Sequence, residues 1–250
     1  MNNKTNNKSE TNFLKKVYRL LIVLISMAGY VPKNATITRT IIIFSSLVFS
    51  IYLGKYQPYN SNLAILYFTL SEVFYLSFIT LVLSKNGLRH WFIKKWGNEK
   101  EGYLAYEALL GFLFFHNGVS IGYIASSTPG SLFPVVHKDL LFVIVPILFI
   151  IGFTIKIWAA QVVSIEIYYW KDMFLGRKIS DFAVTGPYKY FSNPMYGIGQ
   201  LQAYAVALWY GSKYGIIAAF INQLLIFTFY FLVEKNFIKR IYQSNILKNS

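Results

Sequence analysis

Long apolar runs, broken at short intervals by turn residues or charges, constrain this chain more than any other feature. Crossing ~30 Å of hydrocarbon takes about 20 apolar residues as a helix. Such runs cover 17–31, 40–54, 63–83, 104–124, 140–162, 197–211 and 214–233. Each break has a physical cause. Pro32-Lys33-Asn34 stops the first run, and Gln57-Pro58-Tyr59-Asn60 separates the second from the third. Residues 84–102 read as a charged loop. Ser126-Ser127-Thr128-Pro129-Gly130 is turn chemistry, and Gly211-Ser212-Lys213 reads as a tight hairpin. The fold class expected is all-α, a polytopic membrane protein, and no internal repeat is visible.

Composition excludes the main alternatives. Charged residues make up 14% of the chain, against about 25% in soluble domains. The net charge of +14 would suggest nucleic acid in a soluble protein. Here the cations sit between apolar runs, as in membrane-protein loops, so no nucleic-acid partner is expected. The chain has no cysteine, which removes disulfides, thiolate metal sites and cysteine nucleophiles. Histidines 90, 116 and 137 are scattered, so no metal site is expected either.

Residues 1–12 are polar and Asn/Lys-rich and read as a disordered tail, with a second polar tail at 243–250. The run from Val17 to Val31 lacks an Ala-x-Ala-like cleavage site and reads as a retained helix. If all seven runs cross, the better orientation puts 15 Lys/Arg on one side and 8 on the other. If the first run, interrupted by Arg19, lies along the surface, the split becomes 20 against 3, with Lys156 inside a span. The charge bias favours six crossings plus an N-terminal interfacial helix, with seven crossings as the alternative. Both versions place the loop 163–196 and the carboxyl tail on the same, cytoplasmic, side. The chain then divides into N-terminal membrane helices over 13–139 and a core over 140–242 that contains that loop.

The few polar residues within spans are the candidates for chemistry. Glu72 and Glu107 fall inside spans and read as structural partners, for instance of Lys156. Glu166 and Glu234 border water beside the long loop. His116-Asn117 reads as a packing hydrogen bond. Tyr196, Gln200 and Tyr204 share one helix face, as do Gln223, Tyr230 and Glu234. A hairpin can turn the two stripes toward each other, either as hydrogen-bonding glue or as the wall of a ligand pocket.

The stretch before them reads Thr185-Gly186-Pro187-Tyr188-Lys189-Tyr190-Phe191-Ser192-Asn193-Pro194-Met195-Tyr196. After the apolar hairpin comes Glu234-Lys235-Asn236-Phe237-Ile238-Lys239-Arg240-Ile241-Tyr242. Together these resemble the membrane methyltransferases, the phosphatidylethanolamine N-methyltransferases and the isoprenylcysteine carboxyl methyltransferases. The resemblance covers about 150–242. Ser192-Asn193-Pro194 stands where many relatives have Arg-His-Pro, and the Asn-Pro-Met-Tyr version is closer to the phospholipid enzymes. Three departures accompany it. Gly197 and Gly199 flank Ile198 where the family usually has a glycine two residues after the motif tyrosine. Lys235 stands where the family often has a second glutamate, and Trp158-Ala159-Ala160-Gln161 where the phospholipid enzymes carry Gly-x-Gly.

The resemblance implies methyl transfer from S-adenosylmethionine to a membrane lipid, most plainly the amine of phosphatidylethanolamine or its methylated forms. It implies a cofactor site at Gly186, Pro187, Tyr188, Lys189, Tyr190, Asn193, Pro194, Tyr196, Gln200, Tyr230 and Glu234. Aromatic faces would hold the sulfonium by cation–π attraction. Lys189 or Arg177 would face the cofactor's carboxylate. Asn193, Glu166 and Tyr196 are the candidate catalytic groups. The host membrane would be a bacterial inner membrane or an endoplasmic reticulum, with the lipid bilayer as partner and the site facing the cytoplasm. Other acceptors (a prenylcysteine carboxylate, a small thiol), an NADPH-dependent reductase of the same superfamily and a non-enzymatic transporter or scaffold remain as alternatives. The oligomeric state is open.

Overall fold

The computed structural model describes residues 3–132, 138–181 and 183–243, and every regular element among them is helical. Helix α1 spans Asn3–Met27, α2 Ile37–Tyr56, α3 Ser61–Leu83, α4 Arg89–Trp96 and α5 Glu99–Ser127. Then come α6 (Lys138–Tyr168), α7 (Lys171–Leu175), α8 (Leu201–Trp209) and α9 (Lys213–Phe229), the last running on through a π-helical turn at Tyr230–Glu234. Caps mark several starts. The side chains of Thr36, Asn60, Asn98 and Ser212 accept backbone N–H groups of the first turns of α2, α3, α5 and α9.

Five helices among the described residues are long and apolar enough to span a membrane: α2, α3, α5, α6 and α9 with its continuation. The polytopic all-α reading holds, and one of the six expected crossings is built differently from the others. The run expected to cross as 197–211 forms a 3₁₀ turn at Ile198–Gln200 and then the nine residues of α8. At 1.5 Å per residue α8 is about 14 Å long, under half of the hydrocarbon thickness. Two smaller differences follow from local sequence. No helix breaker separates residues 3–12 from the apolar run, and α1 extends back to Asn3 through the expected disordered tail. The loop 84–102 contains α4, closed by Gly97 at φ +85°. The tail 244–250 lies outside the described residues.

The two ends of the bundle are fixed by different contacts. At one end Tyr123 donates to the Gln57 carbonyl (2.7 Å), Thr128 bonds Ser212 (2.7 Å) and Gly130 N–H reaches the Tyr210 carbonyl (2.9 Å). At the other, Arg177 makes a two-pronged ion pair with Glu99 (2.8 and 2.6 Å), and Glu107 is held by Asn34 and Arg39. The loop 163–196 and the end of α9 share this second, basic end with the loop 84–98.

Small residues let α8 sit close to its neighbours, as they do generally between membrane helices. A Cβ on Gly152 of α6 would lie 2.5 Å from the Gln202 backbone nitrogen. Gly186, at φ +59°, turns the chain where a Cβ would strike Val162 and Trp158 of α6. Residues 186–200 therefore climb beside α6 as irregular backbone before α8 begins. Such backbone is tolerated at membrane depth only where protein satisfies its polar groups. Here Gly197 and Gly199 donate to the carbonyls of Asn193 and Pro194 (2.9 and 2.8 Å), and the Gln223 amide of α9 donates to the carbonyls of Tyr196 and Gly197 (2.9 and 3.3 Å).

Candidate functional site

The two polar stripes do meet across the hairpin. Tyr204 donates to Gln223 (2.7 Å), and Tyr196 donates to the Glu234 carboxylate (2.9 Å). The Trp170 indole, set by a left-handed residue between α6 and α7, also bonds that carboxylate. Tyr188 stands within electrostatic reach of it, its buried hydroxyl without a partner among the described residues. Glu234 closes the π-helical turn. Such turns insert an extra residue per turn and recur at functional sites. Tyr230 packs edge-on against Tyr196, ring centroids 6.3 Å apart.

Above this pair lies a cavity of about 370 Å³, inside the size range of small-molecule sites. Tyr196, Trp170, Tyr168, Tyr75 and Phe114 give it aromatic walls. Its far wall is polar and buried. Asn222 of α9 accepts from Gln200 (2.5 Å) and donates to Glu72 (2.8 Å) and Asn117 (2.9 Å). Asn117, Gln200 and Asn222 line the cavity, and so does Lys156. The N-terminal helices thus complete a site whose motifs all lie in the C-terminal part.

The residues singled out from the sequence sort into three groups. Pro187 and Pro194 are fully buried and fix the irregular segment, with Gly186 at its turn and Asn193 accepting from Gly197. Tyr196 and Gln200 line the cavity; Glu234 and Tyr230 stand behind Tyr196, through its hydrogen bond and its ring contact, and Tyr188 lies within electrostatic reach of Glu234. The rest point elsewhere. Tyr190 is exposed, with the Lys189 ammonium over its ring. Arg177 is bound to Glu99 through both terminal nitrogens, which raises the guanidinium's pKa above its ordinary value, and it does not line the cavity. Glu166 is half-exposed, paired with Lys171 (2.9 Å) and Lys33 (3.5 Å), and lines a separate cavity that excludes Tyr196 and Glu234.

The structural pairing expected for the buried carboxylates is corrected in its partners. Glu107 takes Arg39 (3.0 Å) and Asn34, and Glu72 takes Asn222, so Lys156 receives neither. His116 packs as expected, between Tyr67 (2.5 Å) and Ser46 (3.0 Å). Sequence reasoning missed Trp170, Tyr75 and Asn222. The first two carry no spacing signal. Asn222 was detectable as an amide in an apolar run, next to the Gln223 that drew attention.

Residues 141–245 match the family model described as phospholipid methyltransferase. The match takes in α6, the irregular segment, α8 and α9, and it is the family that the two motifs resemble. No curated protein and no solved structure matches the chain.

Proposed function

We propose that this chain methylates a membrane lipid, using S-adenosylmethionine as the donor and the amine of phosphatidylethanolamine or a methylated derivative as the acceptor. The observation that carries the reading is the Tyr196–Glu234 contact. It closes the motif-bearing segment onto the last long helix, beside an aromatic-walled cavity, within the region that matches the family.

The residues fit such a donor. Aromatic faces suit a sulfonium, and each cation–π contact is worth about 0.5–2 kcal/mol. Glu234, with Tyr196 and Trp170 on it, keeps acceptor capacity for an ammonium or a ribose hydroxyl. Bound there, S-adenosylmethionine supplies an electrophilic methyl group on a sulfur that becomes neutral when the methyl leaves. The protein's part is positioning and exclusion of water, which needs neither a covalent nucleophile nor a metal. Tyr196 orients the carboxylate, and the buried prolines hold the backbone of the segment against α6. Asn193, between the two turns, is the group assigned to the acceptor amine. Glu166 keeps its two lysines and is not the base, so the lipid ammonium gives its proton to water before it enters, and the neutral amine then takes the methyl and becomes the methylated ammonium. The basic end is assigned to the cytoplasm, where 20 of the 24 Lys/Arg would lie. Basic loops there also attract anionic lipid, at about 1 kcal/mol per cation near the surface.

Two measurements test this. S-adenosylhomocysteine should bind the purified protein in calorimetry. Lipid extracts from cells expressing the chain should gain mono-, di- or trimethylated ethanolamine headgroups. A protein that does not bind the nucleoside and leaves the lipids unchanged is not this enzyme.

A further inference from the structure

Lys156 lies on α6 within a long apolar helix, lines the cavity, and makes no ion pair or hydrogen bond among the described residues. A cation at membrane depth is costly and normally faces a partner. None of the buried carboxylates is paired with Lys156 among the described residues: Glu107 is held by Arg39, Glu234 by Tyr196 and Asp172 by Tyr242, while Glu72 is bonded by Asn222 through one oxygen and its other oxygen has no partner there. The polar wall of the cavity offers amides, which do not neutralise an ammonium. Gly199, in the turn that opens α8, packs against the Lys156 side chain, so the positive end of that helix adds to the same field. The two cations expected to meet an anionic ligand are absent from the cavity lining: Arg177 is bound to Glu99, and Lys189 is exposed over Tyr190. The cavity wall also reaches the lipid-facing surface, because Phe149 lines it and is itself exposed.

We propose that Lys156 is the anion-holding residue of this cavity, binding a phosphodiester or carboxylate carried by a ligand that enters it. This rests on the reading of the cavity as the reaction site. The shared chemistry is an oxyanion, and two sources present one: the phosphate of a lipid headgroup and the carboxylate of the nucleoside's amino acid portion. Lys156 holds the ligand at its oxyanion through charge, so it is a binding residue and takes no part in the bond changes at the methyl.

The test uses the full chain in neutral detergent and two matched pairs of probes. Dihexanoylphosphatidylcholine is compared with dihexanoylglycerol, and S-adenosylhomocysteine with its decarboxylated analogue. In the wild type, one pair should show at least about a tenfold preference for the oxyanion-bearing member. Lys156→Met should erase that preference, and Lys156→Arg should restore most of it. Loss confined to the lipid pair assigns the phosphate, and loss confined to the nucleoside pair assigns the carboxylate. A wild type without preference in either pair overturns the proposal without any variant. So does a folded Lys156→Met protein whose preferences are unchanged. A wild type that binds no S-adenosylhomocysteine yet keeps a Lys156-dependent preference for the phosphodiester would refute methyl transfer and leave this assignment standing.

Discussion

Replacing Asn222 with alanine removes three hydrogen bonds at one stroke. Its amide joins Gln200 of the α8 entrance to Glu72 of α3 and Asn117 of α5. Glu72 is 4% exposed and lies outside the cavity lining, so its carboxylate is the group whose lost bond water replaces least. In water-soluble proteins each orphaned buried group costs about 1–3 kcal/mol. Between membrane helices the average bond is worth only about 0.6 kcal/mol, with a maximum near 1.7, because the unfolded chain in the membrane also finds partners. The membrane scale is the appropriate one, and three bonds give about 2 kcal/mol, with an upper bound near 5. Unfolding of the purified protein by SDS in mixed micelles reads this directly. A cycle with Glu72→Gln should show non-additivity of about 0.5–1.5 kcal/mol, since the two residues share a bond. A loss below about 0.5 kcal/mol, or strict additivity, would mean that the cluster does not hold the N-terminal helices to the site.

Glu234→Gln should abolish S-adenosylhomocysteine binding in calorimetry while the folded yield stays near wild type, whereas Glu166→Gln should leave both the affinity and the lipid methylation unchanged. Arg39→Met leaves the Glu107 carboxylate, 2% exposed, with only Asn34, and should cost about 3 kcal/mol in the same SDS titration, the low end for breaking a buried pair. Gly152→Leu should separate α6 from α8 and lower both stability and turnover, whereas leucine at exposed Ile150 should be neutral, by thermal unfolding and headgroup analysis. Since the chain has no cysteine, single cysteines introduced at Asp181 and Lys213 report sidedness to an impermeant maleimide, and they should label from opposite faces, residue 181 from the cytoplasm.

What a linear pattern determines here is set by one-dimensional physics. Apolar length fixes where α2, α3, α5, α6 and α9 run, because hydrocarbon thickness is a length. Proline and glycine fix where the chain turns, because they act on their own dihedrals. The four-residue spacing of Tyr196 and Gln200, and the offset of Gln223 from Glu234, foretold that two helix faces would meet. The tertiary structure decided the rest, because partner choice among polar groups depends on distance between segments far apart in the chain. Lys156 was a natural partner for Glu72 or Glu107 on charge alone, yet Asn222 and Arg39 reach those carboxylates and it does not. Arg177 looked available for a ligand until Glu99, 78 residues away, took both of its prongs. The shortening of the sixth run came from Gln223 and Gly199 satisfying irregular backbone next to α6. Hydropathy is blind to that, because it counts side chains and says nothing about where backbone hydrogen bonds end.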